Sequence, residues 1–315
     1  MPRRESDRAT PERLHVPQVR LARNNDAAVV RRHHRSGDWE RIGRGTYLVA
    51  AASQSQDERT LAAVGRIVGV HQRLRVPHWF SHESAALLWG LRLWTAPDTT
   101  HLLQPYRESS TADPMVTRHF MAVPDDELTR RHGLPVTTLE RTVVDCATSL
   151  DPLHGLVIAD SALRHGADPA RISQLVMARR GHRGIARARA VVGWADEGAE
   201  SPGESATRFI VLRDGFPAPT TQIPVPTGLG TFWADLGWPE WRLLLEYDGR
   251  SKYAENSADA FMREKRRHDA VVETGWRVVR VTKEDLRGTL LLRRLRPLVA
   301  PDVAAGLRQR PELSS

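Results

Sequence analysis

The stretch from Phe232 to Gly249, FWADLGWPEWRLLLEYDG, sets the narrowest limits on what this chain can fold into. It predicts a β-hairpin: one strand ending on Asp235, a turn through Gly237 and Pro239, and a second strand from Trp241 to Asp248. The second strand carries Leu243, Leu244 and Leu245, an unbroken apolar run suited to burial within a sheet. Side chains alternate along a strand, so Glu246 and Asp248 are expected on one face. Two carboxylates at the end of a buried strand, with Asp235 on its partner, are costly unless something positive holds them. A divalent metal ion is the usual answer.

The flanking sequence extends this hairpin into a domain. Ser201-Pro202-Gly203-Glu204 is a helix start, with Ser201 as N-cap, Pro202 in the first turn and Glu204 closing a capping box; the helix is expected to run through Arg213. Glu204 is thereby explained structurally, and it is equally placed to reach the metal site. Strands follow at Thr220–Val225, Phe232–Leu236 and Trp241–Asp248. Ser257 caps a long helix that ends at Gly275, GWRVVRVT reads as a strand, and Thr282 caps a last helix. The order is helix, three strands, helix, strand, helix.

Basic residues are distributed unevenly by type. The net charge is +8 and the isoelectric point about 10.4, which points to a polyanionic partner, most simply nucleic acid. Of 46 lysines and arginines, the lysines are Lys252, Lys265 and Lys283, all beyond the hairpin. Where arginine serves nearly everywhere else, a retained lysine suggests work for a compact, tunable ammonium. Cys146 is the only cysteine, so neither an internal disulfide nor a cysteine-based zinc site is available. Without a long apolar run or a signal-like N-terminus, the expectation is a cytoplasmic protein with no membrane contact.

Towards the N-terminus, Val16 to His34 reads as helical, Gly37 as a C-cap, and Trp39–Ile42 and Thr46–Val49 as two short strands around the turn Gly43-Arg44-Gly45. Residues 57–196 read as mainly helical, with helices at Glu58–Leu74, Ser81–Leu91, Leu153–Arg164, Pro169–Ala178 and Gly184–Ala195. Strands are expected at His101–Gln104 and Met115–Val123. Thr137-Thr138-Leu139-Glu140 forms a capping box for a helix through Thr148. Arg141 with Glu140 and Asp145 reads as a salt-bridged helix surface. His82, His101, His119, His132, His154 and His165 are scattered, with no metal-binding spacing among them, and read as surface or structural residues. A Gly, Ser, Pro and acid-rich stretch, GWADEGAESPGES, marks a boundary.

Two resemblances follow from these residues. The N-terminal stretch closing on IGRGTYLV resembles the winged-helix domain of abortive-infection antitoxins of type IV toxin–antitoxin systems, and LPVTTLERTVVDCA resembles the same proteins. That likeness implies DNA binding, with Arg31, Arg32, Arg35, Arg41 and Arg44 contacting phosphates, and a toxin or defence-system partner. The segments ESPGES, WADLGWPEWRLLLEYDGRSKY and EKRRHDAVVETGWRVVRVT resemble the very-short-patch-repair-like endonucleases of the restriction-endonuclease fold, the PD-(D/E)xK superfamily. By that likeness Asp235 and Glu246 match the metal-binding acids and bind Mg²⁺ or Mn²⁺, with Asp248 and Glu204 as further ligands. Asp248 stands where the motif has lysine, and Lys252 or Lys265 is the replacement cation. Arg266 and Arg267 would hold flanking phosphates.

The expected fold class is α/β (α+β). It comprises a winged helix over 13–56, a mostly helical antitoxin-like region over 57–196, and a restriction-endonuclese-like mixed sheet flanked by helices over 197–315. The leading functional expectation is a DNA-binding, Mg²⁺-dependent endonuclease. The alternative is an antitoxin-like regulator whose nuclease-fold domain binds without cutting, and an RNA-directed nuclease is a third reading.

Overall fold

A computed structural model describes residues 14–49, 57–107, 113–249 and 258–314, with the backbone alone at 258–261. The chain divides into two compact units, one of Pro11–Ser149 and Ala167–Gly181, the other of Leu150–Gly166 and His182–Ser315. Residues 57–196 therefore contribute to both.

The first unit opens with β1 (Val19–Leu21), α1 (Ala27–Ser36), β2 (Trp39–Gly43) and β3 (Thr46–Val49). The three strands form an antiparallel sheet in the order β1-β3-β2. Val16–His34 is thus not one helix. Asp26 stops any earlier helix by capping α1 itself, its carboxylate accepting the Ala28 N–H at 2.7 Å. Gly37 ends α1 in the left-handed conformation, φ 82°. The next helix, α2 (Glu58–Arg73), lies directly on the small sheet. A Cβ at Gly69 would stand 2.3 Å from Thr46 Cγ2, and one at Gly65 2.7 Å from Ile42 Cδ1.

After α2 come β4 (Trp79–Phe80), α3 (His82–Leu88), β5 (Thr100–Gln104), β6 (Val116–Phe120), β7 (Leu128–Arg131), β8 (Leu134–Thr137) and α4 (Leu139–Ser149). These strands form a five-stranded mixed sheet, β6-β5-β4-β8-β7, with β5 parallel to β6 and β4 parallel to β8. The sequence shows two of the five, because β4, β7 and β8 are short and flanked by charge. Val64, Ile67, Phe80, Leu88, Leu102 and Val136 form the core between this sheet and its helices. The cap of α4 is shifted by one residue from expectation. Thr138 Oγ1 accepts the Arg141 N–H at 3.4 Å, while Glu140 accepts the Asp168 N–H instead. Arg141 is not on a solvated helix surface: it is buried, donating to Glu127 at 2.5 Å and to Asp145 at 2.7 Å. The chain then enters the second unit with α5 (Pro152–Arg164) and returns to the first with α6 (Pro169–Ala178), which packs on α4.

The second unit contains α5, α7 (Ile185–Gly193), α8 (Pro202–Arg213), β9 (Thr220–Thr227), β10 (Gly230–Trp238), β11 (Leu243–Tyr247), α9 (Ala258–Glu273), β12 (Arg277–Val281), α10 (Leu290–Leu295) and α11 (Pro301–Gly306). Its sheet runs β12-β11-β10-β9, antiparallel except for the parallel β11–β12 pair. The expected hairpin is present, turned by a 3₁₀ segment at Pro239–Trp241 and by Arg242 at φ 47°. Leu244 packs with Ile223, Val225, Ala234 and, from α9, Val271. Alternation then sends Tyr247 to the opposite face, where its ring fills the place a Cβ on Gly203 of α8 would take. Helices cover β11 on both sides, as its apolar run predicts. Pro224 and Pro226 lie in β9, at one edge of the sheet. Together the helices and the mixed and antiparallel sheets make an α+β protein. Among the described residues no helix is long and apolar enough to cross a membrane.

Candidate functional site

The basic face of the first unit lies on α1 and the β2–β3 hairpin. Helical spacing puts Arg31, Arg32 and Arg35 on one exposed side of α1, where with Ala28 and Ser36 they line a surface depression. Arg41 on β2 and Arg44 in the hairpin turn are also exposed. Among the described residues none of the five is ion-paired to an acid: the nearby Asp38 engages His33 and Ser36. Exposed guanidinium groups on a helix and an adjoining hairpin suit phosphate contacts.

The carboxylates of the second unit are held differently. Ser201 accepts the Glu204 N–H at 3.2 Å and donates its hydroxyl to Glu204 Oε1 at 2.8 Å, and the Glu200 N–H donates to Oε2 at 2.8 Å. This is the expected capping box with its return bond taken from the Glu200 N–H instead of that of Ser201. Because Gly203 lies against Tyr247, the first turn of α8 sits over the end of β11, and Glu204 comes beside Asp235. Burial first, and then the Asp235 charge, push the Glu204 carboxyl up to about 7. Asp235 Oδ2 accepts the Tyr247 N–H at 2.8 Å. Glu246 turns towards α9, where its Oε1 receives Arg267 Nη2 at 3.1 Å.

The remaining expected site residues fall elsewhere. Arg267 donates to Glu246, lies within 3.4 Å of the Trp233 carbonyl, and stacks over Phe232. Lys265 and Val272 both lie on α9. Both are exposed, and Val271 is the residue that enters the core. Arg266 is exposed as well. The Asp248 N–H donates to the Val281 carbonyl, continuing the pairing of β11 with β12. Lys252 lies outside the described residues. Arg208 lies one turn beyond Glu204 on α8. It is buried against Asp160 of α5 at 2.6 Å and the Trp194 carbonyl at 2.6 Å.

Among the described residues, a group of three potential metal ligands with all ligand atoms within 4.8 Å of one another is formed by His82, His101 and His119, and not by Glu204, Asp235 and Glu246. These histidines sit at the start of α3, on β5 and on β6. Linear spacing does not reveal them. The signal is the parallel register of β5 and β6, which aligns His101 with Thr117 and Leu103 with His119 and so puts both imidazoles on one face.

Comparison with known proteins places the chain. Residues 80–193 match the model of the AbiEi antitoxin C-terminal domain, a stretch that includes LPVTTLERTVVDCA; the hairpin with its arginines precedes it. One solved structure, the Rv2827c protein from Mycobacterium tuberculosis, is 16% identical and covers 61% of this chain and 75% of its own, with a TM-score of 0.37, too distant to inform the fold. Two curated proteins of Mycobacterium tuberculosis, the "Uncharacterized protein MT2308" of strain CDC 1551 / Oshkosh and the "Uncharacterized protein Rv2248" of strain ATCC 25618 / H37Rv, are each 33% identical over 190 residues, 59% of this chain and 68% of theirs. The chain belongs to the family of these two mycobacterial proteins and carries within it a segment of the AbiEi antitoxin C-terminal type.

Proposed function

We propose that the protein is a DNA-binding, antitoxin-like regulator that works with a toxin or defence-system partner. The observation that carries this reading is the exposed arginine face on α1 and the β2–β3 hairpin, N-terminal to the antitoxin-type segment and separated from it by α2. A winged helix offers a helix to the major groove and its hairpin to the backbone, and arginines on both elements neutralise phosphates. Five such contacts give a slope of log K against log salt of about −4.5. The test is a fluorescence-anisotropy titration of a labelled mixed-sequence duplex at several salt concentrations. Replacing Arg31, Arg35 and Arg41 together by alanine is expected to flatten the slope by about 2.7. An unchanged slope refutes this interface.

A second reading, a metal-dependent nuclease of the restriction-endonuclease fold, draws on the closeness of Glu204 and Asp235. Those two carboxylates, rather than Glu246, would hold Mg²⁺ or Mn²⁺, which supplies polarisation of a scissile phosphate and a more acidic bound water. Plasmid nicking that needs Mg²⁺ or Mn²⁺ and disappears in both Asp235→Ala and Glu204→Gln is the expected result under this reading. DNA binding without nicking in all three proteins leaves the regulator alone.

A further inference from the structure

The histidine group in the first unit has no part in either reading, and its geometry is specific. His101 Nδ1 lies 3.1 Å from His119 Nε2, and the His82 and His119 rings stack with centroids 4.0 Å apart. Two imidazole nitrogens at that distance share at most one proton, so at least one presents a lone pair. His82 is buried and His101 and His119 are partly buried, and one nitrogen of each ring lies within 4.8 Å of the other two.

The outward nitrogens are already held. His101 Nε2 faces the Thr99 hydroxyl at 3.1 Å and the Glu83 carboxylate at 3.6 Å. His82 Nδ1 is 2.9 Å from Ser81 Oγ. Such partners fix ring orientation and raise ligand basicity, as the outer shell of a metal centre does. His82 also sits at φ 52°, in the left-handed region where histidine is enriched among the non-glycine residues. Arg141 is the cation whose charge reaches His82 and His119. It is paired with both Glu127 and Asp145, and Glu83 adds a further negative charge, so a dication meets no uncompensated guanidinium.

We propose that His82, His101 and His119 form a binding site for a divalent transition-metal ion of the zinc class. Three imidazoles suit Zn²⁺, and a water molecule would complete a tetrahedron. The ion would tie α3 to the β5–β6 pair. The test uses the full chain, stripped with chelator and dialysed against Zn²⁺ or Co²⁺. One equivalent of bound metal is expected, with the visible absorption of tetrahedral Co²⁺. His101→Ala and His82→Asn should abolish it; asparagine tolerates the positive φ at position 82. Glu83→Gln should weaken binding about 10–100-fold. His71→Ala, in a separate histidine pair 3.0 Å from His78, should leave binding unchanged. Failure of the wild type to bind either ion, or a tetrahedral Co²⁺ spectrum that persists in His101→Ala, overturns the proposal. If that variant does not fold by circular dichroism, retention of metal by folded His82→Asn overturns it equally.

Discussion

Glu204→Gln removes an ionisation that the fold resists. The carboxyl of Glu204 is buried beside Asp235 and titrates at about 7, against an ordinary value of 4.5. Between those two values the folded chain holds a proton that the unfolded chain has released. Stability from this group is therefore fully present below about pH 4.5, falls as pH rises, and levels off above about 7. At about 1.4 kcal/mol per pH unit, the displacement from 4.5 to about 7 corresponds to roughly 3 kcal/mol lost by pH 8. Glutamine cannot ionise. Its oxygen keeps the Ser201 hydroxyl, but its NH₂ then meets the Glu200 N–H, at a cost of about 1 kcal/mol. The variant should be less stable than wild type at pH 4 by about 1 kcal/mol and more stable at pH 8 by about 2 kcal/mol. Urea unfolding at each pH, with pulsed hydrogen exchange read on peptides spanning residues 202–213, reports this unit alone. A crossing of the two stability curves is the expected signature. Parallel curves refute the reasoning, because every other titrating group is common to both proteins.

The remaining expectations concern the packing that surrounds this carboxylate. Arg208→Met leaves Asp160 buried without its cation and should cost the second unit about 3–5 kcal/mol in denaturant unfolding; recovery of much of that loss in Arg208→Met/Asp160→Leu separates a lost partner from lost packing. Gly203→Ala puts a methyl 2.0 Å from Tyr247 Cε1. It should lower stability by about 1–3 kcal/mol and shift the Tyr247 absorbance, whereas the same change at the open Gly193 should be nearly silent.

Sequence and structure agree at several points where local chemistry decides, although the capping box expected at Thr137 moves to Thr138. Ser201 and Glu204 cap α8 because hydroxyl, proline and carboxylate at that spacing have few other uses. The hairpin around Gly43–Gly45 and the one leading into Leu243–Leu245 follow from turn residues and unbroken apolar runs. Agreement fails where the partner is distant in sequence. Arg208 meets Asp160 across 48 residues, and Arg141 meets Glu127 across a strand pair; neither choice is written in nearby spacing. On α9 the arginine-rich pattern is nearly uniform round the helix, so nothing local tells Val271 from Val272, and tertiary contact alone turns one inward and the other out. The three histidines gather for the same reason, through the register of two parallel strands whose connection spans Pro105–Met115.

The prolines of β9 bear on how this domain meets other chains. Pro224 and Pro226 are exposed, stand opposite Trp233 and Thr231, and carry no N–H to offer outward. A strand arriving at that margin finds the donors at Pro224 and Pro226 both missing, so edge-to-edge pairing along β9 is disfavoured. A peptide or second copy that adds as a fifth strand along β9 forgoes those two backbone hydrogen bonds.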